Sequence, residues 1–597
     1  MGNYQEILGQ TITNLPTDWL RLTTHRLDVY NEELAKVEFL EKYENLKEIS
    51  KEALENLPTA FDYIRLGHPL SCVLEWAIAK DLNLSTESVI SFSSQAMPIL
   101  AVLRKNQFFK KKTRVVTRGS LPQNFDPKIL KEVYAYDFEV VTVNSFEGMP
   151  SFDGSTIAID GGESSGANFV VKLYPGMGSV IQVMDNDPQY IKEIQHVRRR
   201  ESIAMTPHNS LSVLKGFVGK PQDQLAKVDS SELEKTIQKI TQTTARVNLA
   251  SCGLSVQYAI MMGLVHHANE NHEGKAIQFI VPPNCYGGTN DQARRVAACI
   301  DNVEIVDLPV DSGKDMVSEL ERILSEGAKA DTIPYIIAEI PTNPRVEIPD
   351  LEKLRVTLKK SRQTSDGKQA TEPVFILDQT FCPNVKFFGE GGYLHDVSAI
   401  SYVSGSKFPS GGLCTAGYCV ANEKAAQYQS YINNHLKVCD NGATDFQIET
   451  LTKEMPSMNE RIAKAYENTR GFVEFIQENL PTAKINFVSR ELAAASFTPS
   501  VFSLDLPSQG ATAQEKEDNK RELNHKLIHM MIDAIPEESK HCVSYGQLKG
   551  CYWTIPATST QGTTKESDKD YIVRVSVAAD FNLKKHQEVF KEFCSIL

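Results

Sequence analysis

Four short apolar runs in the second half of the chain each lead into a segment that carries polar or aromatic groups. The runs cover residues 277–281, 333–337, 374–377 and 397–403. The groups that follow them include Tyr286, Asn343, Asp378 and Lys407. Runs of this length and composition predict buried strands, and ligands of an open parallel sheet sit outside the carboxyl ends of its strands. We therefore expect these side chains to meet at one edge of a sheet.

Lys407 lies between small hydroxyl residues, in the sequence Ser-Gly-Ser-Lys-Phe-Pro-Ser-Gly-Gly that covers residues 404–412. Proline and glycine then prevent a regular element from continuing. A lysine at a strand end, beside hydroxyls that can hold an anion, suits a Schiff base with pyridoxal phosphate, because burial frees its lone pair for the aldehyde. Taken alone, the segment is also compatible with an exposed loop lysine.

Asp378 follows the third apolar run and supports the interpretation of Lys407 as a cofactor-binding lysine. An aspartate at this place can pair with the protonated pyridine nitrogen of the cofactor and so strengthen its ability to accept electrons. The competing interpretation is an aspartate that caps a helix or a turn.

Composition excludes several classes of partner. The chain has 597 residues, a net charge of −13 and a pI of about 5.6, which argues against a nucleic acid or an anionic membrane as main partner. Its first residues do not form a signal peptide, and no apolar stretch is long enough to span a bilayer. Eleven scattered cysteines without a CxxC pair indicate free thiols. We expect a cytoplasmic protein without a metal site.

In this order, the four segments resemble the cystathionine-synthase and cystathionine-lyase family of sulfur amino-acid enzymes. The resemblance runs from about Glu232 to the C-terminus and also touches residues 61–69. It implies an α/β fold of the aspartate-aminotransferase type (fold type I), a PLP-dependent transferase fold with a smaller C-terminal α+β domain. Here an inserted α/β segment is expected in addition.

The resemblance assigns roles to named residues. The catalytic residues are Lys407 and Tyr286, and the substrate carboxylate is bound by Arg574 and Ser544. Pyridoxal 5'-phosphate is bound by Asp378, Asn343, Cys252, Gly253, Leu254, Ser404, Ser406, Tyr63 and Arg65. In the family the tyrosine and arginine arm reaches the phosphate of a neighbouring subunit, which implies a homodimer or homotetramer; the alternative is that Tyr63 and Arg65 are ordinary turn residues.

Two segments compete for the phosphate loop. Ser251-Cys252-Gly253-Leu254 follows a short strand and opens a helix, whose N-terminus presents backbone N–H groups to a phosphate. Ser93-Ser94-Gln95-Ala96 holds a similar place after residues 71–92 but lacks the glycine. We assign the phosphate to the later segment. The earlier one is either a degenerate copy or a chance likeness.

Four units are predicted along the chain. They are an N-terminal helical arm at residues 1–70, an insertion at 71–231 that forms a small α/β domain, the PLP-binding large domain at 232–455 and a C-terminal small domain at 456–597. Within the insertion, Arg198-Arg199-Arg200 is expected to be a solvated face.

The function implied is PLP-dependent elimination or replacement at Cβ or Cγ of sulfur amino acids or O-acyl-homoserine. Such a transferase or carbon–sulfur lyase acts on a small amino-acid substrate in cysteine and methionine metabolism. Two alternatives stay open: a catalytically retired binding or regulatory protein on the same fold, and other PLP chemistry such as transamination. The sequence departs from the family at residues 410–414 and at Val543, so the exact substrate is left open.

Overall fold

A computed structural model of the chain describes residues 3–21, 32–58, 60–61, 65–119, 121–162, 166–222, 227–310, 315–541, 547–556 and 571–597. Within these ranges the chain forms three β-sheets with helices packed on them, which confirms the α/β class. None of the helices in these ranges is long and apolar enough to cross a membrane.

Four helices precede the first sheet: α1 (Asn3–Thr13), α2 (Glu32–Glu44), α3 (Lys51–Glu55) and α4 (Pro69–Asp81). The start of α4 is fixed by its own sequence. Pro69 stands in the first helical turn, where a missing N–H costs nothing, and the His68 side chain accepts a hydrogen bond from the Ser71 backbone N–H. Because the helix begins at Pro69, residues 65–68 lie just before its first turn.

The first sheet has six strands in the order β1-β6-β5-β4-β2-β3. They are β1 (Val89–Phe92), β2 (Thr113–Thr117), β3 (Phe138–Thr142), β4 (Ser155–Ile159), β5 (Phe169–Tyr174) and β6 (Gly178–Val183). Its helices are α5 (Met97–Phe108), α6 (Pro127–Glu132), α7 (Pro188–Glu201) and α8 (Pro207–Phe217). The predicted strands at 138–143, 155–159 and 179–184 correspond to β3, β4 and β6. One hydrophobic cluster joins the N-terminal helices to α4 and α8, across residue 70.

The second sheet has seven strands in the order β7-β13-β12-β11-β10-β8-β9. They are β7 (Asn248–Ala250), β8 (Ile277–Val281), β9 (Val303–Asp307), β10 (Ile333–Glu339), β11 (Val374–Asp378), β12 (Ala399–Ser404) and β13 (Gly417–Ala421). Its helices are α9 (Ser231–Thr241), α10 (Gly253–Asn271), α11 (Gly287–Ala297), α12 (Met316–Lys329), α13 (Leu351–Lys359), α14 (Gln429–Val438) and α15 (Asp445–Glu454). All seven residues of β10 are buried, as expected for a parallel strand covered on both faces.

The third sheet is mostly antiparallel and has the order β14-β15-β18-β17-β16. Its strands are β14 (Lys484–Asn486), β15 (Val501–Asp505), β16 (Ser539–His541), β17 (Gly550–Pro556) and β18 (Tyr571–Ser576). Its helices are α16 (Met458–Asn479), α17 (Arg490–Ala494), α18 (Ala513–Ala534) and α19 (Leu583–Cys594). The strand expected at 542–547 falls largely outside the described residues, whereas the long helix expected at 459–478 corresponds to α16.

The arginines at 198–200 contradict the expectation of a solvated face. All three are buried in the last turn of α7, and Arg198 has no exposed surface. Its guanidinium forms an ion pair with the buried carboxylate of Glu75 on α4, which also pairs with Lys36 on α2. The charges are buried because a partner from a different helix neutralises them, which the local sequence does not show.

The first two sheets are packed together through helices. Residues of α5 and α7 share one hydrophobic cluster with residues of α10 and α14. Gly263 in α10 makes the contact with α14 possible, because a Cβ there would lie 2.8 Å from the backbone nitrogen of Ile432. The two helix backbones therefore approach too closely for any side chain at that position.

We expect Gly263→Ala to destabilise the protein by about 1–3 kcal/mol, because the added methyl group must push two packed helices apart. Urea or thermal unfolding measures the change. Gly9→Ala in α1 is the matched control, since a Cβ at Gly9 meets nothing within 4 Å. The control should be neutral or more stable by about 0.5–1 kcal/mol. Equal stability of Gly263→Ala and the control would show that the helices do not meet as described.

Candidate active site

A cavity opens where the parallel strands of the second sheet end. Nine of the thirteen residues predicted from the sequence line it: Lys407, Tyr286, Asp378, Asn343, Gly253, Leu254, Ser404, Arg65 and Arg574. They come from the ends of five strands of the second sheet (β7, β8, β10, β11 and β12), from β18 of the third sheet and from the segment before α4. Of the other four, Tyr63 and Ser544 lie outside the described residues.

The N-terminus of α10 forms one wall. Its N-cap is Cys252, whose sulfur accepts the backbone N–H of Ser255 and whose thiol points to the carbonyl of Ser202, so the side chain is not directed into the cavity. A Cβ at Gly253 would lie 3.0 Å from the Cβ of Ser404, so glycine lets the helix end approach β12. The Ser404 and Ser406 hydroxyls lie 2.9 Å apart beside it. Backbone N–H groups and hydroxyls at a positive helix end suit a phosphate.

Asp378 is the last residue of β11, directly opposite Glu339 of β10 in the register. The Asp378 carboxylate accepts the backbone N–H of Thr380 at 2.9 Å. Burial raises the pKa of Asp378 above the usual range of an aspartate, since a charged carboxylate loses its hydration here. A cationic group placed against this carboxyl would be stabilised by it.

Glu339 also lines the cavity, and the sequence assigned it no role. Its carboxylate accepts two backbone N–H groups, from Tyr286 at 2.6 Å and from Asn343 at 3.1 Å. It therefore fixes the loops that present two of the predicted residues. Burial, and then the neighbouring Asp378, raise the pKa of Glu339 to about 8. The only sequence signal was an acid at the end of an apolar run, two residues before Pro341.

Further lining residues were also missed. Gln257 of α10 accepts the hydroxyls of Tyr402 at 2.7 Å and Thr289 at 2.9 Å through its side-chain oxygen, beneath the cavity. Thr380 accepts the backbone N–H of Ser404 at 3.0 Å and so ties the end of β11 to the end of β12. No spacing rule identifies these groups, because their partners come from distant segments.

The loop that carries Lys407 is held from outside the sheet. Lys407 directly precedes a short 3-10 turn, and Arg461 of α16 donates to the Phe408 carbonyl at 2.6 Å. Gly411 and Gly412 have φ values of +61° and +82°, a region that side chains rarely adopt. The unusual Ser-Gly-Gly sequence after the lysine is therefore required by the turn.

Arg574 and Arg65 reach the cavity from outside the second sheet. Arg574 of β18 places its guanidinium 5.5 Å from the centre of the Phe381 ring. Arg65 is buried, with Nε donating to the Arg199 carbonyl at 2.7 Å and Nη2 donating to the Tyr286 hydroxyl at 3.1 Å. Arg65 thus lines the cavity of its own chain, whereas the family resemblance places it at the phosphate of a neighbouring subunit.

These residues fit pyridoxal phosphate in three respects. The side-chain oxygen of Asn343 is buried without a hydrogen-bond partner among the described residues. The Asp378 carboxyl can pair with a protonated ring nitrogen, and the start of α10 offers donors for a phosphate. Lys407 supplies the amine at the same cavity.

A lysine, a strand-end aspartate and a helix N-terminus around one cavity of this sheet define a PLP-dependent enzyme of fold type I. Residues 225–505 match the family model described as Cys/Met metabolism PLP-dependent enzyme, a family whose cofactor is pyridoxal phosphate. No curated protein sequence matches the chain.

Solved structures similar to the chain include cystathionine gamma-lyase from yeast, with 17% identity and a TM-score of 0.46. Methionine gamma lyase CalE6 from Micromonospora echinospora and cystathionine gamma synthase from Xanthomonas oryzae pv. oryzae each have 14% identity and a TM-score of 0.44. Each match covers 61% of this chain and 84% of the other.

Glu339 gives a test of the electrostatics by pH. Because its pKa is raised on folding, the folded protein holds a proton that the unfolded chain releases between pH 4.5 and about 8. Stability of the cofactor-free protein should therefore fall as pH rises through this window. Glu339→Gln, which cannot ionise, should reduce the slope of Tm against pH, and Asp378 should leave a residual slope of the same sign. The exposed Glu372→Gln is the control; equal slopes in all three proteins would contradict the shift.

Proposed function

We propose that this cavity binds pyridoxal phosphate and that the chain catalyses elimination or replacement at Cβ or Cγ of a sulfur amino acid or an O-acyl-homoserine. The observation that carries the proposal is the meeting of Lys407, Asp378, Asn343 and Arg574 at one cavity, although they are far apart in sequence. The family of residues 225–505 supports the cofactor and the general reaction class.

The groups that would hold the cofactor lie on three sides of the cavity. The Lys407 amine would be the point of attachment, the Asp378 carboxylate would pair with the ring nitrogen, and the start of α10 with Ser404 would take the phosphate. When bound, pyridoxal phosphate supplies an electron sink for the bonds at the substrate Cα.

Arg574 is suited to the substrate α-carboxylate. Its guanidinium presents a planar fork of donors that matches a carboxylate, and its place over Phe381 limits the directions it can take. A carboxylate held at this point fixes which bond of Cα faces the cofactor. Arg574 therefore orients the substrate and contributes to the choice of reaction.

Elimination at Cγ needs proton movements beyond Cα, because a proton leaves Cβ as the γ-substituent departs with its bonding electrons. Two groups that can carry protons line the cavity, the Lys407 Nζ and the Tyr286 hydroxyl. We assign the Cα proton to Lys407, which returns it to the carbon skeleton. Tyr286 takes the Cβ proton and passes it to the departing thiolate or carboxylate. The Arg65 guanidinium donates to the Tyr286 hydroxyl at 3.1 Å and so holds it at the cavity.

Product analysis tests the reaction. The protein is loaded with pyridoxal phosphate and given cystathionine, homocysteine, cysteine, or an O-acyl-homoserine with cysteine or sulfide. We expect ammonia with an oxoacid, or a new thioether, from at least one of them. Amino transfer to an added oxoacid without cleavage at Cβ or Cγ would instead establish a transaminase, and loaded protein inert to every substrate would favour a retired enzyme.

Lys407→Ala should abolish turnover, by about 100-fold to 10,000-fold or more, because it removes both the attachment point and the proton carrier. The apparent Tm of the cofactor-free variant should stay near that of the wild type, since Gly411, Gly412 and the Arg461 bond to the Phe408 carbonyl hold the turn. The exposed Lys424→Ala is the matched control. Wild-type rates in Lys407→Ala would overturn the assignment.

Asp378→Asn should keep the cavity and bind the cofactor, because the amide has the same shape as the carboxylate. Its rate should fall by about 100-fold to 1,000-fold, since a neutral partner no longer favours the protonated ring nitrogen. Absorbance and single-turnover rates measure the two effects separately. Asp366→Asn on the exposed loop before β11 serves as control. An unchanged rate in Asp378→Asn would remove this residue from the site.

A further inference from the structure

The first sheet repeats the topology of the second. β1, β6, β5, β4, β2 and β3 stand in the places of β7, β13, β12, β11, β8 and β9, and only β10 lacks a counterpart within the described ranges. The strand directions agree as well. The β1–β6 and β6–β5 pairs are antiparallel like β7–β13 and β13–β12, and the remaining neighbours in both sheets are parallel.

The helices follow the same plan. α5 comes after β1 as α10 comes after β7, and α7 and α8 follow β6 as α14 and α15 follow β13. Thr206 is the N-cap of α8 and Thr444 is the N-cap of α15, each a few residues beyond the end of the preceding helix. We call residues 3–222 the first lobe and residues 227–457 the second lobe.

The lobes contact each other through equivalent elements. Just before α5, the Ser94 hydroxyl donates to the carbonyl of Cys439, the C-cap of α14, at 2.7 Å. At the start of α10, the Cys252 thiol donates to the carbonyl of Ser202, the C-cap of α7, at 3.8 Å. Contacts of this reciprocal kind are typical of two copies related by a two-fold axis.

A second contact lies where such an axis would pass. His208 and Phe446 are the second residues of α8 and α15, and their ring centres are 4.1 Å apart. In a two-fold pair, only residues near the axis meet their own counterparts. Residues of α5, α7, α10 and α14 also share one hydrophobic cluster, which joins the two lobes.

We infer that the first lobe is a second, catalytically silent copy of the PLP-binding large domain, that it takes the place of a partner subunit, and that its Arg65 completes the cofactor site in cis. The role of Arg65 is supported by its hydrogen bonds to the Arg199 carbonyl and the Tyr286 hydroxyl. The inference rests on the proposed function only for the identity of the ligand.

The first lobe has lost the groups that the chemistry needs. After β5 the chain reads Pro175-Gly176-Met177, without a lysine where Lys407 follows β12. At the start of α5, the backbone N–H of Gln95 donates to the Asp440 carboxylate of the second lobe at 2.7 Å. A donor that could face a phosphate is therefore occupied by a contact between the lobes.

Cofactor titration of Arg65→Ala tests the role of Arg65, with bound pyridoxal phosphate followed by absorbance. Its Kd should rise about 10-fold to 100-fold, because a buried charged donor is lost. Arg65→Lys, which keeps the charge, should recover part of the affinity and covers the case in which Arg65→Ala does not fold. Arg118→Ala, at the corresponding edge of the first sheet, is the control and should not change the Kd. Unchanged affinity in both Arg65 variants would overturn the assignment.

Mixed chains distinguish cis from trans. Arg65→Lys and Lys407→Ala chains with different tags are co-expressed and purified over both tags. If each site is completed in cis, a mixed pair has the average cofactor affinity and activity of the two variant proteins. If no mixed pair can be purified, the chain is a monomer, which also requires a site completed in cis. Recovery of one site of wild-type affinity per pair would overturn the inference. Wild-type protein that binds no pyridoxal phosphate would instead refute the proposed function alone.

Dilution gives an independent measurement on the unaltered protein. Light scattering and cofactor titration are run over the same range of wild-type concentrations. If the site is completed in cis, the Kd for pyridoxal phosphate stays constant while the measured mass falls to that of one chain. A mass of one chain at every concentration supports the same conclusion. A Kd that rises as the mass falls would show that a second chain completes the site.

Discussion

Two carboxyl groups side by side determine how the active site is arranged. Glu339 and Asp378 end neighbouring parallel strands at the same register position, so their charges cannot be separated without breaking the sheet. The pKa of each is raised by burial, and that of Glu339 further by Asp378. Such a pair is stable only if one member is protonated or a cation is near. The site supplies Arg574 on one side and leaves space for a cationic ligand on the other.

The two acids then serve different purposes. Glu339 uses its oxygens to hold the backbone of the Tyr286 and Asn343 loops, while Asp378 accepts one N–H from Thr380 and faces the cavity. Glu339 therefore fixes the loops that line the cavity, and Asp378 remains available to a ligand. The arrangement explains why an enzyme would keep both, despite the cost of burying them.

Sequence reasoning found what is local and missed what depends on distant partners. Lys407, Asp378 and Asn343 could be identified from the sequence because each lies at or within four residues of the end of an apolar strand. Glu339 follows one too, but its role needs donors from two other loops, which the sequence does not place. Arg65 was identified by its motif, but nothing in the local sequence shows that it lines the cavity of its own chain and donates to Tyr286. The burial of Arg198 depends in the same way on Glu75, and that of Arg200 on Asp291.

A helix end connects the silent lobe to the working site. The last carbonyls of a helix have no partner inside it, and in α7 that of Arg199 accepts Arg65 Nε. The facing end of α10 presents unpaired N–H groups to the cavity. With both lobes on one chain, their association is intramolecular and no longer depends on concentration. The first lobe can then lose its catalytic groups while it keeps the contacts that position Arg65. The Gln95 N–H, which in a working copy could bind a phosphate, instead donates to Asp440 and strengthens the contact between the lobes.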